Sequence, residues 1–432
     1  MNSSDPFATS PKADKATLRR HNLSLVLRTV HDAGEATRAA VAGRVGLTRA
    51  AVSSLVDQLL GDGYLTEWGK TFSGQAGRPG TVLKMARTGP AGLGVEINID
   101  YITVCVVDLA GTDRVRLVER LDNRAAAPTA VLTQAARIAA RALESAAEQE
   151  LRPVAAELAL PGLVSGGAVR QAPNLGWNRV AVEGVFAQAL SALRPAHRAL
   201  PVSADNEANL AAMAELWFGD VVGDGAGKGA GKGASAHDGT GRVTSFIYLT
   251  GEIGIGGALV LGGRLLRGAH GFAGEIGHVV VEADGPECRC GARGCLEQYA
   301  GQAALLRAAG LDESSGAAGV AELESRARDG NKQALAALED AGRRLGRVLS
   351  GAVNLIDPDA VLLGGVFRGL MPWLAPAADA ELTARVVSGL WTPGNGRLRA
   401  SSSSGDAARG AAARVIREVL ADPAAYAERG TN

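Results

Sequence analysis

Four residues in the second half of the chain have the types and the spacing of a metal site. Cys288 and Cys290 are separated by one residue, Cys295 follows within the same eight-residue stretch, and His278 precedes the first cysteine by ten positions. Three thiolates and one imidazole are a common tetrahedral ligand set for Zn²⁺, and four protein ligands leave no open coordination position. The spacing therefore predicts a structural zinc ion. The alternative is a group of ordinary free cysteines, as we expect for Cys105 on a core strand.

Two carboxylates flank this cluster in the sequence. Glu275 precedes His278 by three positions, so both side chains face the same way if the segment is helical, and Glu297 follows the last cysteine by two. Carboxylates and an imidazole on a metal-stabilised loop would form a rigid array of hydrogen-bond partners for the hydroxyl groups of a polyol. The alternatives are that Glu275 caps a helix and that Glu297 is a solvated surface residue.

The first 90 residues have the pattern of a small DNA-binding domain. Residues 1–15 are expected to form a flexible tail. Apolar residues then recur at helical spacing, and threonines stand at the N-cap positions of two further helices. The expected elements are helices from Ala16 to Gly34, from Thr37 to Val45 and from Thr48 to about Leu60, followed by strands Tyr64–Trp68 and Thr81–Met85. Three helices and a two-stranded wing predict a winged helix-turn-helix over residues 16–88.

The distribution of charge favours contact between this region and DNA. Residues 1–90 contain 12 Lys and Arg against 7 Asp and Glu, whereas the whole chain has 45 of each, so a basic head is joined to an acidic body. A helix-turn-helix presents the first turns of its second helix to the major groove, and a slim cation on a wing suits the minor groove. The candidate DNA-binding residues are Thr48, Arg49, Ala50 and Ser53 on the helix and Arg78 on the wing. A helical oligomerisation module or a structural cap is the alternative.

The remaining residues have the pattern of a larger α/β domain. The chain has 432 residues, 47% of them hydrophobic, which is enough for two or three domains. Short β-branched runs alternate with Ala/Leu-rich helical segments, as in α/β folds. We assign residues 89–425 to this domain, with a first lobe at about 89–205 plus a C-terminal helix at about 406–422, a second lobe at about 206–405, and a flexible insertion at 219–242.

The sequence gives no indication of a membrane partner. No apolar run reaches the roughly 18 residues that a membrane helix needs, and the polar start lacks the apolar region of a secretory signal. Three clustered cysteines suit a metal site in a reducing compartment better than a disulfide framework. We therefore expect a cytoplasmic protein.

Several ordered motifs resemble those of the ROK family, which comprises repressors, uncharacterised open reading frames and sugar kinases. Two of these motifs are the cysteine loop and the Glu-x-Gly-His sequence that ends at His278. The others are Ala172–Trp177, Asn206–Asn209 and Asp359–Gly365. The resemblance covers about residues 16–420, and the cysteine loop is its most specific part.

The resemblance implies an actin-like, two-lobed sugar-kinase fold with a sugar held in the cleft. It implies zinc on the four residues named above, and sugar contacts from Asn174, Asn206, Glu207, Glu275, His278 and Glu297. Family members with a winged head are typically repressors of sugar-utilisation genes that form dimers or tetramers. It therefore implies an inverted-repeat DNA operator, a monosaccharide effector and a homodimer or homotetramer.

Three departures from the family's kinase pattern argue against catalysis. Family kinases have glycine-rich turns that let the backbone approach ATP phosphates, where this chain has Glu96–Asp100 and Glu252–Gly257. The general base of those kinases is an aspartate, whereas this chain has Glu207, whose extra methylene displaces the carboxylate by about an ångström. We expect a sugar sensor without kinase activity. An active ATP-dependent sugar kinase, or a scaffold that binds a phosphotransfer protein, is the alternative.

Overall fold

The computed structural model describes residues 14–71, 80–124, 126–219, 243–387, 391–392, 394, 396–402 and 406–427. Within these residues, a three-helix head precedes a body with two five-stranded sheets and one small antiparallel sheet. No described helix is both long and apolar enough to cross a lipid bilayer.

The head contains the predicted helices and one additional strand. Its elements are α1 (Lys15–Ala33), β1 (Glu35–Thr37), α2 (Arg38–Val45), α3 (Arg49–Gly61), β2 (Leu65–Thr71) and β3 (Gly80–Met85). Asp14 caps α1 by accepting a hydrogen bond from the Thr17 amide, so the helix begins within the predicted tail. The two-stranded wing was an incomplete prediction, because β1 pairs antiparallel with β3 and makes the sheet three-stranded.

The first lobe is built on a five-stranded sheet of order β11-β7-β4-β5-β6. Its elements are β4 (Gly89–Ile97), β5 (Tyr101–Asp108), β6 (Asp113–Arg120), α4 (Pro128–Glu148), β7 (Leu151–Leu160), β8 (Leu163–Ser165), β9 (Ala168–Ala172), β10 (Trp177–Val180), α5 (Val182–Leu193) and β11 (Val202–Asn206). Strand β7 runs parallel to both β4 and β11, whereas β4, β5 and β6 are antiparallel. Helices α4 and α5 pack their apolar residues against the sheet.

The second lobe has a sheet of order β14-β13-β12-β15-β16. Its elements are α6 (Glu207–Phe218), β12 (Phe246–Gly251), β13 (Ile255–Leu261), β14 (Arg264–Leu265), α7 (Glu297–Ala300), α8 (Gln302–Ala308), α9 (Gly316–Arg328), α10 (Lys332–Ile356), β15 (Ala360–Gly365), α11 (Val366–Arg385) and β16 (Leu398–Ala400). A single 3₁₀ turn at Ile276–His278 lies between β14 and α7. Gly219 ends α6, and the rest of the predicted insertion lies outside the described residues.

The C-terminal helix connects the head with the body. Helix α12 (Ala407–Ala421) lies against β4, where a Cβ atom at Gly92 or Gly94 would overlap carbonyl groups of the helix. Its other apolar residues join one buried cluster with α1, α3 and α13 (Pro423–Ala427). The Ser24 hydroxyl donates a hydrogen bond to the carbonyl of Leu420 at 2.8 Å. The head therefore packs on an element whose opposite side touches the body's sheet.

Candidate functional site

The cysteine loop brings four potential metal ligands together. One donor atom each from His278, Cys288, Cys290 and Cys295 lies within 4.8 Å of the other three. The Sγ atoms of Cys290 and Cys295 are 3.7 Å apart, and the Cys288 Sγ is 3.8 Å from the His278 Nδ1. A tetrahedral zinc with Zn–S distances of about 2.3 Å has ligand–ligand edges of roughly 3.8 Å. The donor set therefore fits zinc in both chemistry and spacing.

Backbone contacts fold the loop so that these ligands converge. The Cys288 amide donates to the carbonyl of Ala292 at 2.8 Å, and Val280 pairs with Cys295 as an antiparallel bridge. Gly294 has φ +67°, and a Cβ atom there would overlap the carbonyl oxygen of Glu282. The tight return of the chain thus requires glycine at this position.

His278 links the cysteine cluster to Glu275. Its Nδ1 faces Cys288, whereas its Nε2 lies 3.9 Å from the Glu275 Oε2. The two side chains share a face because the segment forms one 3₁₀ turn, which is the helical geometry that the spacing predicted. Glu275 stands at the N-cap position of this turn, but its side chain makes no capping hydrogen bond. Its carboxylate is available to a ligand.

Glu297 lies on the other side of this group. It begins α7, and its Oε2 accepts a hydrogen bond from the Ile255 amide at 3.1 Å, so it is a positioned side chain and not a freely solvated one. A Cβ atom at Gly254 would meet both the Glu297 carboxylate and the Asn174 amide. Arg289 donates to the Asn174 Oδ1 at 3.2 Å. Glu297 and Asn174 therefore meet at the β12–β13 turn.

Asn206 and Glu207 reach the same cleft from the end of β11. The Asn206 Oδ1 caps α6 by accepting from the amides of Ala208 and Asn209, and its Nδ2 donates to the Gly162 carbonyl at 2.9 Å. Both polar atoms of the Asn206 side chain thus form hydrogen bonds within the protein. The Glu207 Oε2 is buried and has no hydrogen-bond partner among the described residues.

Five carboxyl groups lie near one another in the cleft. Burial raises the pKa of Glu96 to about 7 and that of Glu252 to about 8. Burial also raises the pKa of Glu207, and the nearby Glu96, Glu252 and Glu275 raise it further. The pKa of Glu275 is raised by burial and by Glu297, against the lowering effect of His278. At neutral pH the inner cleft therefore carries less negative charge than its sequence indicates.

The turn between β4 and β5 uses its own polar groups. The Asn98 Oδ1 accepts from the Ile99 amide at 2.7 Å, and the Asn98 amide donates to the Tyr101 carbonyl. The Tyr101 hydroxyl donates to the Glu96 Oε1 at 2.5 Å, and the Ala408 amide of α12 donates to the other oxygen of Glu96. The backbone amides of Asn98 and Ile99 are therefore engaged within the protein. Tyr101 and Arg289 are contacts that sequence reasoning missed, although Arg289 stands between two of the cysteines.

The candidate DNA-binding residues of the head lie at the start of α3. Thr48 caps the helix by accepting from the Ala51 amide at 3.2 Å, which gives it a structural role as well. Arg49 and Ala50 are exposed, whereas Ser53 is only partly exposed. No described residue forms an ion pair with Arg49. Arg78 lies outside the described residues.

Comparison with known proteins identifies the family of the body. The ROK family model matches residues 228–418, a range that includes the cysteine loop. Residues 228–418 therefore match a ROK family domain. The motif resemblance is thus confirmed, and the two-lobed α/β body is the actin-like sugar-kinase fold of this family.

Relatives of the ROK domain include both regulators and kinases. The xylose repressor of Caldicellulosiruptor bescii is 27% identical over 374 residues, which cover 80% of this chain and 83% of that repressor. A ROK family transcriptional regulator, a homologue of the E. coli MLC protein, has a solved structure with TM-score 0.73 at 23% identity, covering 95% of this chain and 99% of its own. The structure of a ROK family glucokinase from Streptomyces griseus with glucose and AMPPNP has TM-score 0.56 at 25% identity. It covers 98% of its own chain but 75% of this one.

Proposed function

We propose that the chain is a sugar-responsive, DNA-binding transcriptional regulator that represses carbohydrate-utilisation genes. The observation that carries this proposal is a winged head joined through one buried helix to a ROK domain with a polar cleft. Xylose repressors are similar to the chain over 80 to 88% of its length. The glucokinase, by contrast, matches only three-quarters of it.

The sugar would bind to the group formed by Asn174, Glu275, His278 and Glu297. Their carboxylates, amide and imidazole supply donors and acceptors for several hydroxyl groups of one ring. Glu207 would reach the sugar from α6 with its unpartnered oxygen. Asn206 would support this end of the cleft mainly by capping the helix.

A structural zinc ion on His278, Cys288, Cys290 and Cys295 would hold this group in place. Four protein ligands would supply a rigid frame and no open coordination position. The second nitrogen of His278 faces Glu275. A zinc ion that orients the imidazole would therefore also orient this part of the sugar site.

The head would bind an inverted-repeat operator as part of a homodimer or homotetramer. Arg49 projects from the first turn of α3, which is the part of a helix-turn-helix that enters the major groove. Arg78 would add a wing contact, and Ala50 and Ser53 would line the same helix face. A sugar can release the operator only to the extent that it binds one lobe arrangement better than the other.

Kinase activity has little support from the nucleotide side of the cleft. The amides of Asn98 and Ile99 are engaged within the turn, and the Glu96 carboxyl group is bonded to the Tyr101 hydroxyl and the Ala408 amide. The pKa values of Glu96 and Glu252 are raised, so charge repulsion between these groups and a phosphate is weakened at neutral pH. The case against phosphate binding therefore rests on the engaged backbone amides. We therefore assign no catalytic role to Glu207.

Calorimetric titration with a panel of monosaccharides that includes D-xylose and D-glucose tests this function. We expect one sugar to bind without ATP, and no ADP to form when both sugar and Mg-ATP are present. Sugar-dependent ADP formation at kinase rates would favour the active-kinase alternative. If no sugar in the panel binds, the proposed sugar-sensing function is contradicted.

A further inference from the structure

We propose that Arg414 is the positioning residue that transmits sugar binding from the cleft to the head, through Asp205, the carboxylate that it shares with Arg267. This inference rests on the proposed function. It concerns three side chains from distant parts of the chain that meet behind the candidate sugar site.

Two buried carboxylates lie at the centre of this network. Glu157 on β7 and Asp205 on β11 are 1% and 3% exposed, and their strands are neighbours in the first-lobe sheet. The Arg414 Nη1 donates to the Glu157 Oε1 at 3.0 Å and to the Asp205 Oδ2 at 3.1 Å. Buried carboxylates require such partners, because an unpaired charge in this environment is costly. The guanidinium is thus held tightly to the sheet.

Asp205 also holds the second lobe. Arg267 donates to both of its oxygens, at 3.1 and 2.6 Å. Arg267 lies in the loop between β14 and the 3₁₀ turn, eight residues before Glu275, and its carbonyl accepts from the Ala273 amide at 3.0 Å. A bidentate pair of this kind fixes orientation as well as distance. Movement of the Glu275 segment towards a sugar would therefore move the partner of Asp205.

Asp205 is directly connected to the other side of the candidate site. Its Oδ1 accepts from the Asn206 amide at 2.8 Å and from the Asn209 side chain at 3.2 Å. Asn206 in turn caps the helix that carries Glu207. Asp205 is thus bonded both to Asn206 of the candidate site and to Arg267, which precedes Glu275 by eight residues.

Helix α12 connects Arg414 to the head. Arg414 lies six residues before Leu420, about 9 Å along the helix axis, and the Leu420 carbonyl accepts from Ser24 of α1. Arg20 of α1 pairs with Asp422, and the Tyr64 hydroxyl donates to the Pro423 carbonyl at 2.8 Å. A change in how Arg414 is held would therefore shift the surface on which the head rests.

An 830 Å³ cavity adjoins this network and gives it room to rearrange. The cavity is lined by Arg267, Arg414 and Asp205, together with the β8–β9 hairpin and residues 268–272. The Arg267 side chain is 42% exposed, so its pairing can change without opening the core. Two discrete arrangements of packed groups are what coupling between sites requires.

Hydrogen exchange of the full-length protein, with and without a monosaccharide from the panel that binds, tests this route. The variant is Arg414→Gln combined with Glu157→Gln, which removes both charges of one pair and leaves Asp205 held by Arg267. Arg343→Gln is the matched control, because among the described residues Arg343 forms ion pairs with Glu339 and Asp340 of its own helix α10.

In the wild type and the control we expect the sugar to change exchange at residues 275–297, 407–421 and 15–33. In the double variant the change at 275–297 should remain, with sugar affinity within about threefold of the wild type, while the change at 15–33 disappears. A merely structural role for Arg414 would not separate these two responses. Arg267→Gln should give the same separation and serves as the second variant if the first fails to fold.

Persistence of the head response in both variants would overturn the inference and leave the proposed function intact. A wild-type response confined to residues 275–297 would also overturn it. Absence of any response in the wild type to every sugar would overturn the proposed function together with the inference.

Discussion

His278 has a different neighbour at each of its two ring nitrogens. Nδ1 lies among the cysteine sulfurs, and Nε2 lies 3.9 Å from Glu275. A ligand on one nitrogen fixes the tautomer and the direction of the other. The imidazole is therefore the point at which the metal site and the candidate sugar site share one residue.

Replacing Glu275 tests the sugar site at this scale. Glu275→Ala should weaken monosaccharide binding by about 10- to 100-fold, because it removes a hydrogen bond to a charged group, and should leave operator affinity without sugar unchanged. Calorimetry and fluorescence anisotropy measure the two affinities. Glu287→Ala on the exposed side of the cysteine loop is the control. Loss of operator binding with the fold intact would contradict the assignment.

The partly buried carboxyl group of Glu252 predicts a pH dependence of stability. Its pKa is raised from 4.5 to about 8, so the folded protein binds a proton that the unfolded chain releases between these values. Stability is therefore lost as the pH rises from about 4.5 through about 8, by about 1.4 kcal/mol for each unit of pKa difference.

Glu252→Gln should remove part of this loss. Thermal unfolding should show a higher Tm than the wild type at pH 9 and a nearly equal Tm at pH 5. Glu148→Gln, at an exposed position on α4, should behave like the wild type at both pH values. Parallel pH profiles of wild type and Glu252→Gln would show that the group ionises freely in the fold.

At the scale of elements, a capping residue and a buried apolar side hold helix α3 so that its N-terminal face is exposed. Thr48 caps the helix, while Val52, Leu55, Val56 and Leu59 are buried against α1 and α2. Arg38 pairs with Asp57 of α3 and with Glu67 of β2, which fixes the helix to the wing. Arg49 is left to project from a rigid element.

Arg49→Ala should weaken operator binding by about 10- to 100-fold and reduce the dependence of log affinity on log salt by about one unit, as expected for a lost DNA contact. Anisotropy titrations at several salt concentrations measure both quantities. Arg326→Ala on α9 is the control, because that side chain pairs within its own helix. Unchanged affinity and salt dependence would place Arg49 outside the interface.

The cysteine loop predicts a metal dependence of sugar binding. The purified protein should contain about one zinc per chain, and removal of the metal by a chelator should blunt sugar binding, because the loop loses its frame. Cys290→Ser should have the same effect, whereas Cys105→Ser, in a buried strand far from the loop in sequence, should retain the metal. Elemental analysis with calorimetry measures both. Full sugar affinity in the metal-free protein would contradict this role.

The sequence predicted elements that have a strong local signal. Periodic apolar residues and threonine caps located the three head helices, and the spacing of one histidine and three cysteines located the cluster of potential metal ligands. Strand β1 was missed because three residues are too few for a periodic pattern. The turn between β4 and β5 was not predicted, because Asn98 closes it through side-chain contacts that no spacing rule encodes.

Contacts between distant segments were beyond sequence reasoning. Asp205, Arg267 and Arg414 are separated by 62 and 147 positions in the chain, yet two hydrogen-bond pairs join them. The packing of α12 and α13 against the head is of the same kind. Such contacts depend on the complete fold, so only the structure reveals them.

At the scale of the whole molecule, α12 lies between the head and both lobes. Its residues Ala407 and Ala411 join a buried cluster with strands of the second lobe, while Val415 and Val419 join the cluster of the head. A change in the angle between the lobes would therefore reach the head through one continuous helix. In a dimer, this would change the distance between the two heads. That distance must match the spacing of the half-sites in an inverted-repeat operator.

Capture of fragmented genomic DNA from the source organism by the purified, zinc-loaded protein tests the central claim most directly. At about physiological salt, where non-specific binding is weak, we expect enrichment of a few palindromic sites beside carbohydrate-utilisation genes. A monosaccharide that binds the protein should change this enrichment. Recovery of DNA without any preferred site, or enrichment indifferent to every sugar that binds, would contradict a sugar-responsive regulator.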